Sequence, residues 1–153
     1  MTEIVIKDIA VNRKARFDFH ILEAYETGIT LKGTEVKSVR EGLVTLKDSF
    51  GKVDNGEVFL YNMHISPYSH GSYSNVEPTR KRKLLLHKNE ILRLTGKLSV
   101  GGLVLVPLKV YLKGNLVKVE IALAKSKKLF DKRDAIKKRE VERDIKSTLK
   151  NSV

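Results

Sequence analysis

The chain has no cysteine, no tryptophan and only 3 prolines in 153 residues. Without cysteine, disulfides and thiolate-bound metals are excluded outright, and a reducing compartment is permitted. No apolar run approaches the ~18–20 residues that span a bilayer. The longest, Leu103 to Pro107, has the length of a short strand. The opening MTEIVIKDIA lacks a basic segment followed by a long apolar stretch, so a signal peptide is not expected there. The expected location is the cytoplasm.

Catalytic constellations are missing as well. His20, His64, His70 and His87 have no cysteine to pair with and no His-x-x-x-His spacing. The sequence holds no Walker loop, no GxGxxG and no serine in a G-x-S-x-G elbow. Gly101-Gly102 stand before a strand and read as turn residues. The expectation is a protein with no enzymatic activity, no metal and no cofactor.

What the chain has is positive charge. Its 30 Lys+Arg outnumber 18 Asp+Glu, for a net charge of +12. Such an excess points to a polyanionic partner, nucleic acid first and an anionic membrane surface second. The 41% hydrophobic content is that of a globular protein. The length suits one domain with a real core. The charge is unevenly spread. Residues 125–153 carry 11 Lys+Arg against 5 Asp+Glu, and residues 1–124 carry 19 against 13. We therefore expect a body at 1–124 and a basic tail at 125–153 with its own task.

The body reads as mainly β. Phe17 to Tyr25 alternates and leads into Gly28 to Leu31. The turn Asp54-Asn55-Gly56 ahead of Glu57 to Tyr61 is a strong hairpin signal. Leu103 to Leu112 and Leu116 to Leu123 form a second hairpin around Lys113-Gly114-Asn115, with a bulge or edge position expected at Pro107. Two short helices are expected. One covers Glu35 to Glu41, with Thr34 as N-cap and Gly42 as stop. The other starts at Asn89 and ends at Gly96. Five or six strands with two helices fit an OB-fold-like Greek-key barrel, and an SH3-like barrel fits the same count. Residues 64–83 read as a long polar loop ending in the basic block Arg80 to Lys83. Four consecutive cations repel one another unless an anion neutralises them.

Basic residues also gather at Arg13, Lys14 and Arg16 and on Lys109, Lys113 and Lys118. Phe17, Tyr25, Tyr68, Tyr73 and Phe130 lie close to these clusters in sequence, and bases stack on such rings. Phe17 and Tyr25 fit the core equally well. In the tail, Leu129 and Ile136 share one helical face, while Val141, Ile145 and Leu149 share another roughly 140° away. A docked helix would present one continuous stripe. Good helix formers with interleaved charges instead suggest a segment disordered alone and helical when bound to a polyanion.

The sequence blocks carry more. Asn12-Arg13-Lys14-Ala15-Arg16, Tyr25-Glu26-Thr27-Gly28, Gly33-Thr34-Glu35-Val36-Lys37-Ser38 and His64-Ile65-Ser66-Pro67-Tyr68 occur in order. Arg82-Lys83-Leu84-Leu85-Leu86-His87, Val106-Pro107-Leu108-Lys109-Val110-Tyr111, the run from Lys118 to Lys125 and the run from Lys127 to Arg133 follow. Together they resemble the SsrA-binding protein family, SmpB, from about residue 8 to 146.

The resemblance implies an OB-fold that binds the transfer-RNA-like domain of transfer-messenger RNA. It implies delivery, with elongation factor Tu and GTP, to stalled ribosomes for trans-translation, the tail entering the empty messenger channel beyond the decoding centre. It places RNA-binding roles on Asn12, Arg16, Glu26, Leu85 and Lys118, with Arg13, Lys14 and Lys83 as basic neighbours. It places ribosome contacts on Lys127, Lys128, Phe130, Asp131, Lys132, Arg133, Ile136, Lys137, Lys138 and Arg139. Two departures stand out: Ser126 where the family has glycine, and Phe130 where it has tyrosine or histidine. Without the resemblance, a general single-stranded RNA-binding or ribosomal protein on the same fold fits too.

Overall fold

The structure, a computed structural model, describes residues 3–68, 76–127 and 129–151. Its elements run β1 (Ile6–Val11), α1 (Arg13–Asp18), β2 (Phe19–Ile29), α2 (Gly33–Arg40), β3 (Val44–Thr45), β4 (Phe50–Asp54) and β5 (Glu57–Tyr61). There follow β6 (His64–Ile65), β7 (Arg82–Leu85), α3 (Lys88–Ser99), β8 (Leu103–Lys113), β9 (Leu116–Ser126) and α4 (Leu129–Asn151). Strands β8, β4, β5, β7, β2 and β9 pair in that order, and β9 pairs back to β8. Every pairing is antiparallel. The ring is closed, as expected of an OB-fold-like barrel in a mainly β chain.

Closure rests on a small contact. β4 meets β8 at one residue pair, Gly51 with Leu105. A Cβ on Gly51 would lie 2.9 Å from Leu105 Cβ and 2.8 Å from Ile121 Cδ1. Only a residue without a side chain lets the two strands approach this far. Inside the ring, Val58, Leu60, Leu84, Leu105, Val110, Val119, Ile121 and Leu123 are buried. Each fully buried aliphatic side chain of this size contributes roughly 1.5–3 kcal/mol.

Both expected hairpins are present. Asp54 pairs with Glu57 across Asn55-Gly56, whose φ angles of 50° and 75° suit a two-residue turn. Lys113 pairs with Leu116 across Gly114-Asn115, with Gly114 at φ 61°. The register of β8 against β9 shifts between Pro107 and Lys109, the bulge that proline requires.

The helices depart from expectation in three ways. Residues 13–18 form α1, so the strand expected from Phe17 starts at Phe19; Asn12 caps the helix and Ala15 packs on Val106, Leu108, Ala122 and Ala124. In α2, Lys32 rather than Thr34 takes the N-cap position, and the Glu35 carboxylate accepts the Lys32 N–H at 2.8 Å. Gly42, at φ 79°, ends that helix as expected. Helix α3 runs through Gly96 to Ser99, and the stop is supplied by Gly101 and Gly102 at φ 89° and 77°. A lone glycine weakens a helix by about 1 kcal/mol without ending it. Packing of Ile91, Leu94 and Leu98 on the core outweighs that cost.

The polar stretch 64–83 is also not simply a loop. Ile65 is buried, β6 pairs with β3, and the Ile65 N–H donates to the Pro78 carbonyl. The anion that pairs with two of the four cations in the basic block is internal. Glu35 is 3% exposed and Arg82 is 0% exposed. Arg82 donates from Nε to Glu35 at 2.6 Å, and from its two terminal nitrogens to the Met63 carbonyl at 2.6 Å and the Pro78 carbonyl at 2.9 Å. Arg80 donates to the other oxygen of Glu35 at 2.5 Å. Burial raises the Glu35 pKa, but the Arg80 guanidinium, the Lys32 N–H and Arg82 together hold it below the usual range. Lys83 pairs with Glu57 on the surface at 2.9 Å.

Helix α3 is tied to β2 by Glu23. Its carboxylate accepts hydrogen bonds from Lys97, Tyr25 and Arg93, which lower its pKa from 4.5 to about 2. The phenol of Tyr25 is pushed up to about 12, first by burial and then by Glu23. Helix α4 stands apart from the core. Ile136, Val141 and Ile145 are 43%, 56% and 54% exposed. Its most extensive contact with the body is with α1, where the Arg139 guanidinium lies 5.1 Å over the Phe17 ring.

Gly51→Val should destabilise the barrel by about 1–3 kcal/mol or more in urea unfolding, because both neighbours are core side chains. Glu35→Ala should cost about 3–5 kcal/mol, since it strands a buried guanidinium. Lys83→Ala should cost less than about 1 kcal/mol. Equal costs for the last two would refute the internal-pairing account. Glu23 adds stability above its unfolded value near 4.5, and this is lost as pH falls through about 2. Thermal midpoints measured across that window should fall more steeply for the native chain than for Glu23→Gln.

Candidate nucleic-acid interface

The outer face of β2, β7 and β9 brings three distant residues together. Gly28 pairs with Lys118 of β9 on one side and with Leu85 of β7 on the other. Side chains alternate along a strand, so Glu26 shares the Gly28 face. A Cβ on Gly28 would lie 3.3 Å from Leu85 Cβ. Glycine therefore leaves a shallow floor between leucine and lysine. The resulting cleft of about 320 Å³ is lined by Glu26, Gly28, Leu85, Leu86, His87, Glu90 and Lys118. Its volume is at the small end of ligand sites, suited to a single flat group.

Leu85 is 51% exposed, so it is a surface platform and not a core residue. Glu26 is held in place. One carboxylate oxygen accepts from the Tyr111 hydroxyl at 2.5 Å and the other from Lys113 Nζ at 3.1 Å. The Tyr111 hydrogen bond, then that of Lys113, lowers the Glu26 pKa, so the side chain is an anion at neutral pH. Burial first and Glu26 second push the Tyr111 phenol upward. Each oxygen keeps a free lone-pair direction for a ligand donor, an amino group or a 2′-hydroxyl.

The α1 residues form a separate group. Asn12 accepts the Ala15 N–H at 3.2 Å through its side-chain oxygen and donates its amide to the Pro107 carbonyl at 2.9 Å. Its own N–H donates to the Leu108 carbonyl at 2.8 Å. Asn12 thus clamps α1 onto the β8 bulge, and Arg13, Lys14 and Arg16 project from that helix into solvent. Phe19, which follows α1, is nine residues before Gly28 on β2, roughly 30 Å along an extended strand. The fold places Glu26, Leu85 and Lys118 in one cleft and the α1 cations at the other end of the same strand. Lys83 shares the outward side of β7 with Leu85.

In the tail, Arg133, Ile136, Lys137, Lys138 and Arg139 are exposed on α4, and Lys127 precedes it with its N–H on the Asp18 carbonyl. Lys128 lies outside the described residues, as do His70, Tyr73 and the side chains of Phe130, Asp131 and Lys132. Ser126 pairs with Phe19 at the end of β9 and is not among the residues with positive φ, so it bears no left-handed strain. Tyr25 packs against the core, and Tyr68 is half-buried with Lys37 Nζ 5.3 Å from its ring. Among the described residues no cluster of histidine and carboxylate groups could hold a metal, and no helix is long and apolar enough to cross a membrane. The Tyr111 and Lys113 supports of Glu26 come from β8, and only the strand register could have revealed them.

Residues 9–151 match the family model described as SmpB protein. The SsrA-binding protein of Halothermothrix orenii is 63% identical over 145 residues, covering 95% of this chain and 94% of that protein. The SsrA-binding protein of Carboxydothermus hydrogenoformans is 60% identical over 144 residues, covering 94% and 97%. A solved structure described as "tmRNA-SmpB: a journey to the center of the bacterial ribosome" contains a chain of 49% identity. It superposes with a TM-score of 0.67 over 88% of this chain and 95% of that one. With the barrel and these relatives in agreement across nearly its whole length, the chain belongs to the SmpB family of SsrA-binding proteins.

Proposed function

We propose that this chain binds the transfer-RNA-like domain of transfer-messenger RNA and carries it to stalled ribosomes for trans-translation. The observation that carries the reading is the meeting of Glu26, Leu85 and Lys118 in one cleft of a basic barrel. Lys118 meets phosphate, Leu85 supports an unstacked base, and ionised Glu26 accepts donors that a lysine cannot take. Arg13, Lys14 and Arg16 add phosphate contacts further along the molecule, with Asn12 positioning their helix. Lys83 extends the outward face of β7. A solved SmpB chain with 49% identity supports the choice of RNA.

The work is divided between a barrel at 1–124 and a tail at 125–153. The tail enters the messenger channel of the small subunit as a helix ordered by ribosomal RNA. Its exposed apolar residues on two faces and its alternating charges suit a partner that surrounds it. Lys127, Lys128, Phe130, Asp131, Lys132, Arg133, Ile136, Lys137, Lys138 and Arg139 make the contacts near the decoding centre. Elongation factor Tu with GTP travels in the same complex. The protein acts in the cytoplasm and catalyses no reaction.

Glu26→Ala should weaken binding to a transfer-messenger RNA transcript about tenfold in a gel shift while leaving the thermal midpoint within a few degrees. Removal of residues 129–153 should spare that affinity and abolish tagging in a reconstituted translation system. Unchanged affinity in the first case, or normal tagging in the second, would sink the corresponding assignment.

A further inference from the structure

We propose that the outer face of β4 and β5 is a second RNA contact, one that takes an extended single strand. The proposal relies on RNA binding by this chain for the partner's chemistry; the place and mode of contact come from the geometry of the two strands. Gly51, Val53, Val58 and Leu60 turn inward, so Phe50, Lys52, Phe59 and Tyr61 turn outward. The register sets Phe50 opposite Tyr61 and Lys52 opposite Phe59. The Phe50 and Tyr61 rings stack at 5.2 Å with 7° between their planes, and Phe50 is 41% exposed. On the next rung, Lys81 Nζ lies 4.5 Å over the Phe59 ring.

This face alternates flat rings with cations. Neither Lys52 nor Lys81 has a carboxylate partner among the described residues. Both are available to phosphate, while Lys83, beside Phe59, shares Glu57. At the Phe50 end, a cleft of about 320 Å³ lies between that ring and Lys14 of α1, so the row of rings continues toward the basic helix. Successive rungs are about 7 Å apart along the strands. Bases stacked in a duplex strand are ~3.4 Å apart and are already paired. Only an unstacked, extended strand sets its bases far enough apart to meet one ring or one cation per rung. Base–aromatic stacking tolerates any base, so the contact would be indifferent to sequence. The face adjoins the Glu26 cleft along β7 but shares no lining residue with it.

The test uses the full chain. It has no tryptophan, so Phe50→Trp introduces a sole indole on the platform. Its emission should be quenched to saturation by an unstructured ten-nucleotide uridine RNA. Phe50→Ala should bind a labelled copy of that oligonucleotide about fivefold more weakly, or worse, by anisotropy. A duplex of equal length should bind more weakly than the single strand. Adding Glu26→Ala to Phe50→Trp should leave the quenching of that indole intact, so failure of this site and failure of the Glu26 cleft read out separately. Unchanged indole emission at saturating RNA, or equal affinities for native chain and Phe50→Ala, would overturn the proposal. So would duplex binding as tight as single strand. Concentration-dependent self-association abolished by Phe50→Ala, with RNA affinity intact, would assign the face to a second copy instead and also overturn it.

Discussion

A barrel differs from a sheet by its last pairing. Here that pairing is made where the Gly51 backbone meets Leu105, with Ile121 just beyond. Everything functional is downstream of this closeness. The ring order sets β7 between β5 and β2. Only in that order do Leu85, Gly28 and Lys118 fall side by side although they are far apart in the chain. An open sheet of the same strands would keep the hairpins and lose the curvature that aims outward residues at a common ligand.

The hairpins were legible because their signals are local: an Asn-Gly turn, a Gly-Asn turn and alternating arms. Pro107 announced its bulge for the same reason, since a missing N–H cannot be hidden. What escaped the sequence reading depended on contacts between distant segments. Phe17 and Asp18 open an alternating stretch in sequence, yet they end α1, because Ala15 finds an apolar patch on β8 and β9. Gly96 looked like a stop, but the helix is held by Leu94 and Leu98 against the core. Arg80 to Lys83 looked like a solvent-facing run, and its counterion lies some 45 residues earlier, at Glu35.

The interface shows the same division. The family resemblance pointed to Glu26, Leu85 and Lys118 one at a time. Their union in a cleft, and the Tyr111 and Lys113 support for Glu26, follow from strand register alone. Asn12 has a heavier structural part than its place in a basic block suggests, since both ends of its amide are committed to backbone groups. Phe50 and Tyr61 drew no notice in sequence because no basic run adjoins them; β4 and β5 bring them into a stack.

The internal pairing of Arg80 and Arg82 with Glu35 has an electrical consequence for the whole molecule. Two guanidiniums share one carboxylate, so the three side chains keep a charge of +1 and the body keeps its excess of 19 cations over 13 anions. Residues 125–153 hold the same excess, 11 cations against 5 anions, on less than a quarter as many residues. The centre of positive charge is therefore displaced from the centre of mass, toward one extremity. A molecule so polarised turns as it diffuses, presenting its helical end to a negatively charged surface before the barrel arrives.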